Sequence, residues 1–188
     1  MGSPSENDLI HIVDAALAEA ARKSGAWLAC RPGCCQCCIG AFPISQSDAE
    51  RLREGLRELE RIDPDRAARV SQRASSTDFT LFPGDVATGI LAEDQDSQER
   101  FEDFANDDPC PALDPETGTC DLYAWRPITC RTFGPALRVN SDSVDVCELC
   151  YQGATDEEIL ACQVEIEVDI EIEESDASGQ TIVAFALR

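Results

Sequence analysis

The sequence predicts an irregular α+β domain, helix-rich in its N-terminal half and closed by a C-terminal β-hairpin. Three patterns point there. Capped segments of helical periodicity crowd the first half of the chain. Residues 107–146 are rich in Pro, Gly, Cys and Asp and show little periodicity of any kind. Residues 164–172 alternate strictly between apolar and acidic side chains, the mark of a half-buried strand. At 188 residues and 43% apolar composition, the chain is sized for one domain spanning 1–188.

The elements follow in order. Ser5 and Asp8 cap an amphipathic helix whose apolar face runs through Leu9, Ile12, Val13, Ala16, Leu17 and Ala20, and Gly25 ends it. Ser47 with Glu50 forms a capping box for a second helix, striped by Leu52, Leu56 and Leu59. Asp63-Pro64 restarts a third helix bearing Ala67, Ala68, Val70 and Ala74. Residues 75–96 read as loop, and 97–106 as one short helix carrying Phe101 and Phe104. Thr155 with Glu158 caps a helix through Cys162. Val164, Ile166, Val168, Ile170 and Ile172 then face away from five carboxylates, a turn follows at 176–179, and 181–187 is expected to return as the hairpin partner.

Charge narrows the function classes. The first ninety residues hold 13 acidic and 10 basic side chains, whereas the remainder hold 24 and 5. A net charge of −22 repels phosphate backbones, so no nucleic-acid partner is expected. No apolar run approaches the roughly 20 residues of a membrane span, and the first 23 residues lack the pattern of a secretory signal. The expected location is therefore the cytoplasm. Disulfides rarely persist there, and the cysteine total of 11 is odd. The one histidine, His11, sits in a helical pattern and reads as a surface or structural residue. The sequence names no protein partner.

Five of the cysteines fall within nine residues: Cys30, Cys34, Cys35, Cys37 and Cys38. Cys34-x-x-Cys37 has the spacing of a metal-binding knuckle, and the Pro32-Gly33 turn lets the thiolates converge. Neighbouring side chains diverge, so Cys37 and Cys38 are more easily assigned to two metal atoms than to one. Cys110, Cys120 and Cys130 recur at steps of ten, too wide for a self-contained knuckle. They are expected to close a site begun by the first cluster. In such segments metal-binding energy substitutes for regular secondary structure, so the domain is read as metal-organised.

These blocks carry a family resemblance. Cys34-Cys35-Gln36-Cys37-Cys38, Cys110-Pro111, Cys120-Asp121-Leu122-Tyr123, Arg126-Pro127 and Cys130-Arg131-Thr132-Phe133-Gly134 resemble the YkgJ-type cysteine-cluster (CxxCxxCC) family of zinc- or iron-chelating domains. The likeness covers about residues 27–163 and leaves 164–188 as an acidic hairpin outside it. It implies metal chelation by Cys30, Cys34, Cys37, Cys38, Cys110, Cys120, Cys130 and Cys147, leaving Cys35, Cys150 and Cys162 as spare thiols. Eight thiolates divide into two four-cysteine zinc sites, while the scattered later cysteines suit an iron–sulfur cluster, the alternative.

The expected role is a structural, delivery or sensing one. An iron–sulfur redox or enzymatic role and a thiol redox switch stand as the alternatives, so whether the chain is an enzyme is left open. Arg31, Arg126 and Arg131 are expected to offset the charge of the metal site, and Tyr123, Trp125 and Phe133 to form a small core over it.

Overall fold

Side-chain caps set most of the helix starts. The computed structural model describes residues 6–139, 142–144, 146–166 and 179–188. Its mixed α+β content, with long helices early and small sheets later, agrees with the class read from the sequence. The chain divides into two compact units, one made of residues 1–34 and 128–171 and the other of 35–127 and 172–188.

In the first unit, α1 (Glu6–Ser24) buries Leu9, Val13 and Ala20. They pack on Ile128 of α5 (Ile128–Thr132), Leu137 of β6 (Leu137–Val139) and Ile166 of β8 (Val164–Ile166). β6 is the central strand, antiparallel to β7 (Asp142–Val144) and parallel to β8. Arg131 is only 3% exposed and donates from one nitrogen to both oxygens of Asp14, at 2.6 and 2.7 Å, which ties α5 to α1. The predicted capping box of α6 (Asp156–Cys162) is present: Thr155 accepts from Glu158 N, and Glu158 accepts from Thr155 N. A second core gathers Ala136, Cys147, Cys150, Tyr151 and Cys162.

In the second unit, α2 (Gln46–Ile62), α3 (Pro64–Ser75) and α7 (Val183–Leu187) enclose the main core around Leu52, Leu59, Val70 and Leu187. Asp63 caps α3 with Pro64 in its first turn, as expected. The cap of α2 differs: Ser45, not Ser47, accepts from the backbone N–H three residues on, at Asp48. Ser45 has the extended backbone that a cap requires, while Ser47 is already helical. The expected short helix is α4 (Gln95–Asp103), started by Asp94. Three short antiparallel pairs complete the unit: β1 (Pro43–Ile44) with β9 (Thr181–Ile182), β2 (Gly84–Asp85) with β3 (Ile90–Leu91), and β4 (Leu113–Asp114) with β5 (Thr119–Cys120). Phe79, Phe82, Phe104 and Phe185 form an aromatic cluster with edge and tilted contacts.

The C-terminal hairpin is corrected at its described ends. Residues 164–166 pair with β6, residues 181–182 pair with β1, and 183–187 is a helix. All five side chains of α7 are buried. A segment apolar on every side suits a helix sunk in the core, whereas a one-faced strand would leave half of it in water. Residues 167–178, which hold most of the predicted strand and turn, lie outside the described residues.

Gly55 lets α2 approach the indole of Trp125. A Cβ on Gly55 would lie 2.3 Å from Trp125 Cγ. Gly55→Ala should therefore lower stability by about 1–3 kcal/mol through overpacking, read as a lower urea midpoint. Arg57→Ala on the exposed face of the same helix should stay within about 0.5 kcal/mol of the parent.

Candidate metal centre

All eleven cysteines are free thiols. Six lie in the first unit and five in the second, and within each unit backbone hydrogen bonds fold or join the segments that carry four of them.

The first group is Cys30, Cys34, Cys147 and Cys150. Cys34 N donates to Arg31 O at 2.9 Å and folds the 30–34 segment into a turn, with Gly33 at φ +91°. Cys150 N donates to Cys147 O at 2.8 Å, so Cys147-x-x-Cys150 is a knuckle of the same spacing as Cys34-x-x-Cys37. Cys147 N donates to Gly134 O at 3.3 Å. Gly134 itself has φ +121°, and a Cβ there would come within 2.9 Å of Cys30 Sγ. The sulfurs of Cys30 and Cys150 stand 3.9 Å apart.

Tyr151 fixes the end of the knuckle. Its backbone N donates to Trp27 O at 2.8 Å, and its hydroxyl accepts from Ala136 N at 2.9 Å. Ser24 Oγ gives its hydrogen to Ala20 O, so the 2.6 Å contact between Tyr151 and Ser24 hydroxyls is donated by tyrosine.

The second group is Cys37, Cys38, Cys110 and Cys120. Cys37 and Cys38 end a 3-10 turn begun at Gln36. Cys110 N donates to Cys38 O at 2.7 Å, which lays the two segments side by side. The β4–β5 pairing sets Leu113 opposite Cys120, while Leu113 N donates to Cys110 O at 2.9 Å and Asp121 N to Ala112 O at 2.7 Å. A hairpin thus closes the ten-residue step from Cys110 to Cys120. Both cysteines pack against the main core of their unit.

Electrostatics reports the same grouping. Burial, then the charges of Cys150, Cys34 and Cys147, pushes the Cys30 thiol up to about 12. Burial also raises Cys147. In the second group, the hydrogen bond between Cys37 and Cys38 holds Cys37 low and Cys38 high, so the pair shares one proton. Cys110 and Cys120 add to the rise at Cys38. Burial pushes Cys110 up to about 12 against the opposing pull of Arg73, and raises Cys120 against Arg126 and Arg66. Thiolates gathered in this way need a cation among them to ionise together.

An all-thiolate donor set suits zinc or iron. The 3.9 Å Cys30–Cys150 separation is close to the edge of a tetrahedron, about 3.8 Å, for zinc–sulfur bonds of about 2.3 Å. Among the described residues, no group of three or more Cys, His, Asp or Glu side chains already converges as ligands on one point.

Seven of the eight cysteines named from sequence fall into these two groups. The eighth, Cys130, lies on α5 of the first unit. Cys150, set aside from sequence, had a legible signal in its Cys147-x-x-Cys150 spacing. Cys162 is a buried core thiol whose sulfur donates to Lys23 O at 3.6 Å.

Of the three arginines, Arg126 stacks 3.6 Å from the centre of the Tyr123 ring, and its charge favours thiolate at Cys37 and Cys120. Arg131 is bound to Asp14, and Arg31 is exposed. The small aromatic core is also corrected. Trp125 packs inward, but Tyr123 and Phe133 are 62% and 39% exposed, and the Tyr123 ring is the face on which Arg126 lies.

Sequence reasoning missed Arg66, Arg73 and Asp121. Asp121, 2% exposed in its side chain, accepts from Arg66 Nε and Arg73 Nη2, each at 2.5 Å. Arg73 Nε also donates to Pro111 O at 2.8 Å.

No helix among the described residues is long and apolar enough to cross a membrane. No curated protein and no solved structure matches the chain. A family model does match, over residues 29–151, from just before Cys30 to just after Cys150. The chain belongs to that family, CxxCxxCC, described as a "putative zinc- or iron-chelating domain".

Proposed function

We propose that this chain is a cytoplasmic zinc-chelating protein with two four-thiolate sites, serving a structural, delivery or sensing role. The observation that supports the reading is a close thiol pair in each unit, Cys30 with Cys150 at 3.9 Å in one and the hydrogen-bonded Cys37 and Cys38 beside Cys110 in the other. Cys30, Cys34, Cys147 and Cys150 would hold one ion, and Cys37, Cys38, Cys110 and Cys120 the other. The adjacent, hydrogen-bonded Cys37 and Cys38 would then share an ion and Cys34-x-x-Cys37 be divided between two, the reverse of the expectation from spacing. In this assignment Cys150 takes the place that sequence position gives to Cys130. Bound zinc supplies the positive charge that four thiolates in one small volume need, and cross-links segments far apart in sequence. A reducing compartment keeps such thiols available.

The 3.9 Å pair favours a single four-coordinate ion over an iron–sulfur cube. In a cube each iron takes one cysteine, which spreads the sulfurs wider. The net charge of −22 argues against nucleic acid as a partner.

Metal analysis and an absorption spectrum of anaerobically purified protein test the reading. Colourless protein with about two zinc ions per chain is expected. Brown protein with iron and acid-labile sulfide would overturn the choice of metal. Cys150→Ser should lower zinc to about one per chain while Cys130→Ser keeps both. The opposite result would restore Cys130 to the ligand set.

The raised thiols of Cys30 and Cys110 hold protons before metal arrives, so zinc uptake displaces protons. Apparent zinc affinity should accordingly fall as pH is lowered from about 8 to about 6, measured by chelator competition.

A further inference from the structure

We infer that Arg73 and Asp121, with Arg66, form a positioning clamp that holds the Cys110 and Cys120 ligands ready for their metal. The inference rests on the zinc-chelation reading and adds residues that the cysteine pattern does not contain.

The geometry is specific. Asp121 directly follows Cys120, and Pro111 directly follows Cys110. One guanidinium, that of Arg73, grips both: Nη2 on the Asp121 carboxylate at 2.5 Å and Nε on Pro111 O at 2.8 Å. Arg66, seven residues earlier and so on the same face of α3, takes the other carboxylate oxygen at 2.5 Å. The adjoining face of α3 is fixed in the main core by Ala67, Val70 and Ala74. The clamp therefore joins the two ligand-bearing segments to a helix that is itself immobilised by packing.

Elsewhere the segments are joined by the pairing of Leu113 with Cys120 and Asp114 with Thr119 and by the bond from Asp121 N to Ala112 O. So short a ladder sets register but resists little splaying. A planar fork with fixed donor directions supplies what the ladder lacks, and lysine has no equivalent.

The test uses the full chain loaded with zinc, with Asp121→Asn, which keeps shape but loses charge, and Arg73→Lys, which keeps charge but loses the fork. Chelator competition should show one of the two zinc ions bound about 10- to 100-fold more weakly in Asp121→Asn, and less weakened in Arg73→Lys, with the other ion unchanged. Cobalt substitution gives an independent readout: the sulfur-to-cobalt absorption should change for one site's share of the spectrum. Should Asp121→Asn fail to fold, Arg73→Lys carries the test alone. Two zinc ions held at parental affinity in both variants would overturn the clamp and leave the chelation reading standing. Equal weakening of both ions together with a lower melting temperature would reduce these residues to general stabilisers, and overturn it too. A parent chain that takes up no zinc overturns chelation itself, and the clamp with it.

Discussion

Mutual repulsion among thiolates governs this molecule. Thiols drawn close to one another resist ionising together, as the upward push on Cys30 from Cys150, Cys34 and Cys147 records. The chain accepts that cost in both units and surrounds the sulfurs with irregular backbone. Turns at 30–34 and 147–150, the 3-10 turn at Gln36–Cys38 and the short β4–β5 hairpin are all devices for bringing cysteines together. None is long enough to be stable alone, so each leans on a neighbouring core. The hairpin rests on the α2–α3 core, and Cys150 on the packing and hydroxyl bonds of Tyr151.

Much of the helical scaffold was legible because its signals are local. Asp63 before Pro64, and Thr155 before Glu158, are caps that act over three residues, and the structure contains both. The cap of α2 was misplaced by two residues because Ser45 and Ser47 are chemically equivalent, and only backbone conformation chooses between them. The C-terminal segment was misread for a different reason. Alternation in Val164–Ile166 does signal a strand, but the identity of its partner is set by packing on α1 and β6. That information is absent from the segment itself.

The cysteine pattern was legible as chemistry more than as geometry. Seven of the eight cysteines named from sequence lie in the two groups, but their division into two sets depends on which chain segments share a unit. The wide step from Cys110 to Cys120 gave no hint that a hairpin would close it. Cys147-x-x-Cys150 was visible, and its value became clear only with Cys30 alongside. Arg73 and Asp121 stand 48 positions apart, so no spacing rule connects them. Ion pairs of this kind, made by partly exposed arginines on a buried carboxylate, enter through tertiary structure alone.

Gly134 carries a consequence for how related sequences are compared. With φ at +121° and Cys30 Sγ where its side chain would begin, the position excludes every other residue unless the sulfur moves. A relative with a bulkier residue there has its counterpart of Cys30 displaced from the place it holds here, even when all its cysteines align. An inventory of cysteines alone would count such a relative as intact. The glycine is thus a marker of whether the first group of thiols keeps this arrangement, written in a residue that carries no ligand chemistry of its own.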